Sequence, residues 1–109
     1  GALGFTAAVT DTETVQFAYG PMKKALQSGA LAEPFISAIR NREPILAPDG
    51  DTVLLNNLKP LRLAAVPIIS EGDVHGSVLL ATENPGLRLS DTELSILRTA
   101  ALYLGKQLE

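Results

Sequence analysis

The 109-residue sequence predicts an α+β domain, an antiparallel sheet of five or six strands with helices packed beside it. Three observations carry this expectation. Period-two apolar alternation recurs in short runs bounded by turn formers, most clearly across residues 61–82. Helical periodicity is confined to short stretches after the first hairpin and to the C-terminal end. The strand-like runs follow one another as hairpins instead of alternating with long helices, as a parallel sheet would require.

Composition bounds the rest. A mass of 11.5 kDa is one domain, and a hydrophobic fraction of 46% is too high for a disordered segment. The net charge of −3 lacks the basic footprint of a nucleic-acid grip, so direct DNA or RNA binding by this stretch is not expected. The chain has no Cys, which excludes disulfides, thiolate zinc sites, iron–sulfur ligation and a Cys nucleophile together, and fits a cytoplasmic location. The apolar run at residues 64–69 falls far short of the ~20 residues that span a membrane. No signal peptide is visible. The chain opens Gly1-Ala2-Leu3-Gly4 without Met, so residues 1–109 read as a single excised domain whose natural neighbour lay upstream.

Residues 5–9, the turn-like Asp11-Thr12-Glu13 and the alternating residues 15–19 predict a hairpin, with one face presenting Val15, Phe17 and Tyr19. Gly20-Pro21 stops it, and residues 22–28 read as a short helix closed by Gly29. A second short helix begins near Glu33-Pro34, turns Phe35, Ile36 and Ile39 inward, and ends before Pro44. Residues 43–60 are rich in turn formers (Pro48-Asp49-Gly50-Asp51, Asn56-Asn57) and are expected to be loop, the most mobile part of the chain. Residues 61–70, the turn Glu71-Gly72-Asp73 and residues 74–81 predict a long hairpin. Pro67 has no amide to donate and belongs there at a bulge or an outward edge. Leu89-Ser90-Asp91-Thr92-Glu93-Leu94 is a complete helix start. Ser90 caps, Glu93 reaches back to it, and Leu89 and Leu94 staple across it.

The last helix is expected to reach about Leu108. Leu94, Leu97, Ala101, Leu104 and Leu108 share one side of it, and Ile96, Ala100 and Tyr103 extend that side. The apolar arc is then roughly 180° wide, against the ~100° that one sheet covers. Either the helix is wedged into a core, or part of the arc meets a partner chain or an upstream helix. On the second reading Leu94, Leu97, Ala101, Leu104 and Leu108 are the candidate interface, most simply of a homodimer.

Catalytic groups are scarce. His75 is the only histidine; it sits mid-hairpin with no serviceable acid beside it and fits a solvated strand residue. Asp49-Gly50-Asp51 does not complete a calcium loop, because the twelfth position falls at Pro60. No Gly-Lys-Ser/Thr phosphate cradle occurs. No enzyme activity, metal or cofactor is expected.

The run Ala65-Val66-Pro67-Ile68-Ile69, the turn at Gly72-Asp73 and the stretch Gly76-Ser77-Val78-Leu79-Leu80 resemble the late hairpin of GAF domains, and residues 89–93 with their helix resemble that family's C-terminal helix. More narrowly, the order of segments 3–11, 20–26, 36–46, 66–80 and 100–109 is similar to the C-terminal domain family of stage V sporulation protein T. Its members are bacterial transcription regulators with an N-terminal AbrB-like, swapped-hairpin DNA-binding domain. The resemblance implies a GAF-like, PAS-related fold. Two departures stand out. The helix with which GAF domains open is missing, and His75 replaces a small or apolar residue before Gly76.

GAF domains hold a small molecule between the sheet and the segments covering it, or serve as dimerisation units. By resemblance the cover is residues 22–58. Phe17, Tyr19, Phe35, Ile39, Leu46 and Leu55 are the candidate ligand lining, with Asn56 and Asn57 able to orient polar groups. The implied function is a small-molecule-sensing or dimerisation domain of a transcription regulator. Its partners are a second copy and the N-terminal DNA-binding domain. The alternative is a GAF/PAS-type structural or sensor domain of another signalling protein, such as a kinase.

Overall fold

A computed structural model arranges the chain as β1 (Thr6–Thr10), β2 (Val15–Tyr19), α1 (Lys23–Leu26), α2 (Glu33–Arg40), β3 (Ile45–Thr52), β4 (Leu61–Ser70), β5 (Asp73–Thr82) and α3 (Asp91–Gln107). The structure describes residues 4–109; Leu3, which opens the first segment of the family resemblance, lies outside the described residues. The strands form one five-stranded sheet in the order β2-β1-β5-β4-β3, every neighbouring pair antiparallel. This is the expected α+β architecture.

The sheet is covered on both faces, because its central strands are apolar on both sides. Leu61, Leu63 and Ala65 of β4 and Leu79 and Ala81 of β5 meet Leu26, Leu31, Phe35, Ile39, Leu54 and Leu55 from α1, α2 and the loops. On the opposite face, Ala64, Val66 and Ile68 of β4 and Val78 of β5 meet Leu94, Leu97 and Ala101 of α3. Of the buried hydroxyls on the strands, Ser70 Oγ has no partner among the described residues, while those of Thr6, Thr10 and Ser77 are paired. Thr6 Oγ1 accepts the Met22 amide at 2.8 Å, and Thr10 Oγ1 and Ser77 Oγ share a hydrogen bond of 2.7 Å.

β4 and β5 are joined by a two-residue turn. Glu71 (φ 53°) and Gly72 (φ 84°) both occupy the left-handed region, as a type I′ hairpin requires, so Asp73 belongs to the strand and pairs with Ser70. Pro67 lies just past Ala65, the last described partner of β3 on β4. The outer edge of β4 has no ladder there, so the missing amide costs nothing.

Three expectations change. Residues 45–52 are a strand, not a loop; β3 is an edge strand, where Pro48 and Gly50 are tolerated at a break in register between Ala47 and Thr52. The first helix is one turn, Lys23–Leu26, because Ser28 turns left-handed (φ 64°) and its amide donates to the Val15 carbonyl at 3.0 Å. The third change decides the functional reading. Val9 pairs with Phe17 but Thr10 pairs with Val15, so Gln16 is an extra residue, a β-bulge. Strict alternation would have put Val15, Phe17 and Tyr19 on one face. The bulge turns Val15 into the α1–α2 core and leaves Phe17 and Tyr19 on the α3 face.

α3 begins as its sequence requires. Ser90 Oγ accepts the Thr92 amide at 3.3 Å, and Glu93 Oε1 accepts both the Ser90 amide at 2.7 Å and the Ser90 hydroxyl at 2.8 Å. The hydroxyl and amide of Ser90 hold the Glu93 carboxyl below its ordinary pKa. No helix among the described residues is long and apolar enough to cross a membrane.

Candidate functional site

The α3 face of the sheet is only half covered. α3 packs chiefly on β4 and to a lesser extent on β5, while β1 and β2 continue the same face beyond it. Cross-strand pairing puts Tyr19 beside Ala7 and Phe17 beside Val9 on this bare part. Phe17 and Tyr19 are 70% and 75% exposed, at positions where strand aromatics are ordinarily buried.

The helix completes a trough. Leu94, Leu97, Ala101 and Gly105 face the sheet and are buried. Arg98 and Leu102 lie over the outer part of β4, beside Val66, Pro67 and Ile69. The opposite flank, Ala100 and Leu104, therefore lies on the side of β5, and Ile96 and Tyr103 lie further round the helix, away from the sheet. Ala100 and Leu104 are half-buried against the cluster that includes Val9 and Leu80, whereas Ile96 and Tyr103 are 59% and 64% exposed. The bare face thus has an apolar floor at Val9 and Leu80, aromatic Phe17 and Tyr19 on its β2 side, and the Ala100–Leu104 flank of the helix on the other, with Ile96 and Tyr103 exposed further round the helix.

This corrects the interface expected from the helix alone. Leu94, Leu97 and Ala101 are buried by the protein's own sheet and are unavailable to a partner; Leu104 is half-buried and Leu108 is exposed. The surplus of the apolar arc is its Ile96–Tyr103 side. Those two residues were visible on the helical wheel as extensions of the stripe, but the wheel could not say which half the sheet would take.

The eight candidate ligand-lining residues are not brought together. Phe35, Ile39 and Leu55 are buried side chains of the α1–α2 core. Phe17 and Tyr19 lie on the other face of the sheet, separated from them by the bulge at Gln16. Leu46 is exposed on edge strand β3, and Asn56 and Asn57 are exposed at the turn after Leu55. Phe35 borders an open hollow on that side, about 300 Å³ between the start of α2 and β3, with Pro34, Ile45, Asp51, Thr52 and Val53.

Titratable chemistry near the trough is sparse. Asp11, in the β1–β2 connection, accepts the amides of Glu13 and Thr14 at 2.7 and 2.6 Å. Burial alone would raise its pKa, but those amides and the Thr14 hydroxyl together lower it. His75 is exposed on β5. Among the described residues no three His, Cys, Asp or Glu side chains form a group able to hold a metal ion.

Comparison with known proteins identifies a family and a fold. A family model described as "Stage V sporulation protein T C-terminal, transcription factor" matches residues 1–109. Among solved structures, the GAF domain/HD domain protein from Geobacter sulfurreducens superposes with a TM-score of 0.67 at 20% identity, over 95% of this chain and 79% of that one. At that identity the likeness is one of fold, and the fold is GAF-like. No curated protein matches the sequence.

Proposed function

We propose a regulatory role, without catalysis, for this chain, which belongs to the stage V sporulation protein T C-terminal family of transcription factors. In this reading it is the domain that holds the factor as a dimer and sets the geometry of DNA-binding units carried by the same polypeptide. The supporting observation is the trough. Phe17 and Tyr19 are exposed on a sheet face that the chain's own helix leaves half open, and Ile96 and Tyr103 add exposed apolar surface on that helix. Soluble domains bury such surfaces against a partner, and aromatic side chains are enriched at interfaces. Two copies related by a two-fold axis would each cover the other's trough. The negative net charge keeps this domain off nucleic-acid phosphates while it acts in the cytoplasm beside DNA. A small-molecule effector would act by changing the geometry of that pair.

Sedimentation equilibrium of the chain beside a Phe17→Glu/Tyr103→Glu variant tests the reading. Both side chains are exposed, so the variant should keep its circular dichroism spectrum and melting temperature. The parent should self-associate, and the variant should do so at least about tenfold more weakly. A parent that stays monomeric at high concentration contradicts the homodimer.

A further inference from the structure

The end of the sheet opposite the β4–β5 turn carries a cleft apart from the trough. It occupies about 450 Å³ between the Pro48-Asp49 step of β3, Arg62 of β4 and the β5–α3 connection, where Leu87, Arg88 and Leu89 line it. A second hollow of about 300 Å³ shares Asp49 and Arg62 with it and ends at Lys59. The two are parts of one groove with Arg62 at the join, and the larger part alone is within the size range of small-ligand sites.

The fold builds this position. The register break in β3 brings the Pro48 carbonyl to Arg62, whose Nη1 donates to it. Gly50, at φ 79°, takes a backbone conformation that favours glycine, and a Cβ there would lie 3.5 Å from Arg62 Cγ. Anchoring through one carbonyl leaves most of the five guanidinium donors available. Among the described residues, neither Arg88 nor Asp49 has a side-chain hydrogen bond or an ion pair. Lys59 is engaged with Glu83 at 3.3 Å, so that pair adds no net charge. The nearby start of α3 is closed by its own capping box.

The groove therefore presents two cationic forks, one free carboxylate and an aliphatic lining. Guanidinium forks match carboxylate oxygens in pairs, Asp49 accepts from a donor, and Pro48, Leu87 and Leu89 suit a short hydrocarbon stem. We infer that this cleft binds a small organic carboxylate that also carries a hydrogen-bond donor. Arg62 and Arg88 hold the carboxylate end and Asp49 the donor. This inference does not depend on the regulatory reading.

Titration of the ¹⁵N-labelled chain with L-glutamate, glutarate and putrescine tests it. L-glutamate should move the amides of Gly50, Arg62, Leu87 and Arg88 saturably. Glutarate, which lacks the ammonium group, should bind there at least severalfold more weakly, and the dication putrescine should not bind. Arg62→Met/Arg88→Met should abolish both carboxylate responses. Arg88→Met alone, at an exposed side chain with no partner to lose, should weaken them about tenfold with the rest of the spectrum intact. Asp49→Asn should bring L-glutamate down to the level of glutarate. The inference is overturned if neither carboxylate gives a saturable response, or if Arg88→Met binds both carboxylates as tightly as the parent does. Equal binding of the two carboxylates by the parent removes the role of Asp49 and with it the donor requirement.

Discussion

Gly105 of α3 lies so close to the backbone of Ile69 on β4 that a Cβ at position 105 would stand 2.4 Å from the Ile69 carbonyl oxygen. Glycine at this point lets the helix axis settle onto the strand. In an exposed helix, exchanging Gly for Ala stabilises by about 1 kcal/mol. Here the added methyl meets backbone that cannot step aside, so the sign should reverse. Gly105→Ala is expected to destabilise by about 1–3 kcal/mol, read as a lower urea midpoint. A rise in the midpoint would mean that helix and strand can part without cost.

Gln27 should prove to be a structural residue despite its polar, partly exposed position. Its Oε1 accepts the Ala18 amide at 2.9 Å and its Nε2 donates to the Gln16 carbonyl at 2.6 Å, so one side chain serves the outer edge of β2 as a peptide unit would. Gln27→Ala should cost about 1–2 kcal/mol in urea denaturation and speed hydrogen exchange at Ala18. Unchanged exchange at that amide would show the contact to be dispensable.

The two sides of α3 should separate cleanly. Leu97 is 3% exposed beneath the helix, and Leu97→Ala is expected to cost about 2–5 kcal/mol. Ile96, one residue earlier and 59% exposed, should change stability by less than about 0.5 kcal/mol when replaced by Ala. Similar losses at both positions would place the helix in a different rotation.

Acid should weaken the fold through two carboxylates. Asp11 and Glu93 both have pKa values lowered by hydrogen bonds that their ionised forms accept. The unfolded chain then takes up protons at a higher pH than the folded one does. Their contribution is therefore fully present above the ordinary carboxylate range and is lost as pH falls through the lower, folded values. Glu93→Gln should flatten the fall in stability between neutral pH and the acid range. Ser90→Ala, which removes the cap, should cost about 1 kcal/mol at neutral pH. If the pH profile of Glu93→Gln matches that of the parent, the capping box does not provide the linkage.

Signals contained within a few residues were legible before the structure was known. The turn expected at Glu71-Gly72-Asp73 and the Ser90–Glu93 capping box each combine local chemistry with a local pattern; the capping box formed where expected, and the turn formed one residue shorter, with Asp73 drawn into β5. What failed depended on neighbours distant in sequence. The extra residue at Gln16 exists only relative to β1, yet it moves Phe17 and Tyr19 to the other face and dissolves the expected ligand lining. Strand β3 survives Pro48 and Gly50 because it lies at an edge, which composition does not record. The width of the apolar arc on α3 was readable, but its division between sheet and solvent was set by the packing of β4. The groove at Arg62 joins three segments that no local motif connects.

The central claim is that the bare sheet face carrying Phe17 and Tyr19, with the exposed side of α3 beside it, is covered in the intact transcription factor. Hydrogen exchange compared between the full-length factor and this 109-residue chain, the latter dilute enough to be monomeric, tests it most directly. Exchange in the full-length protein should slow at residues 16–19 of β2 and 96–104 of α3, with the α1–α2 side unchanged. Identical exchange at these two segments in both samples would contradict the claim.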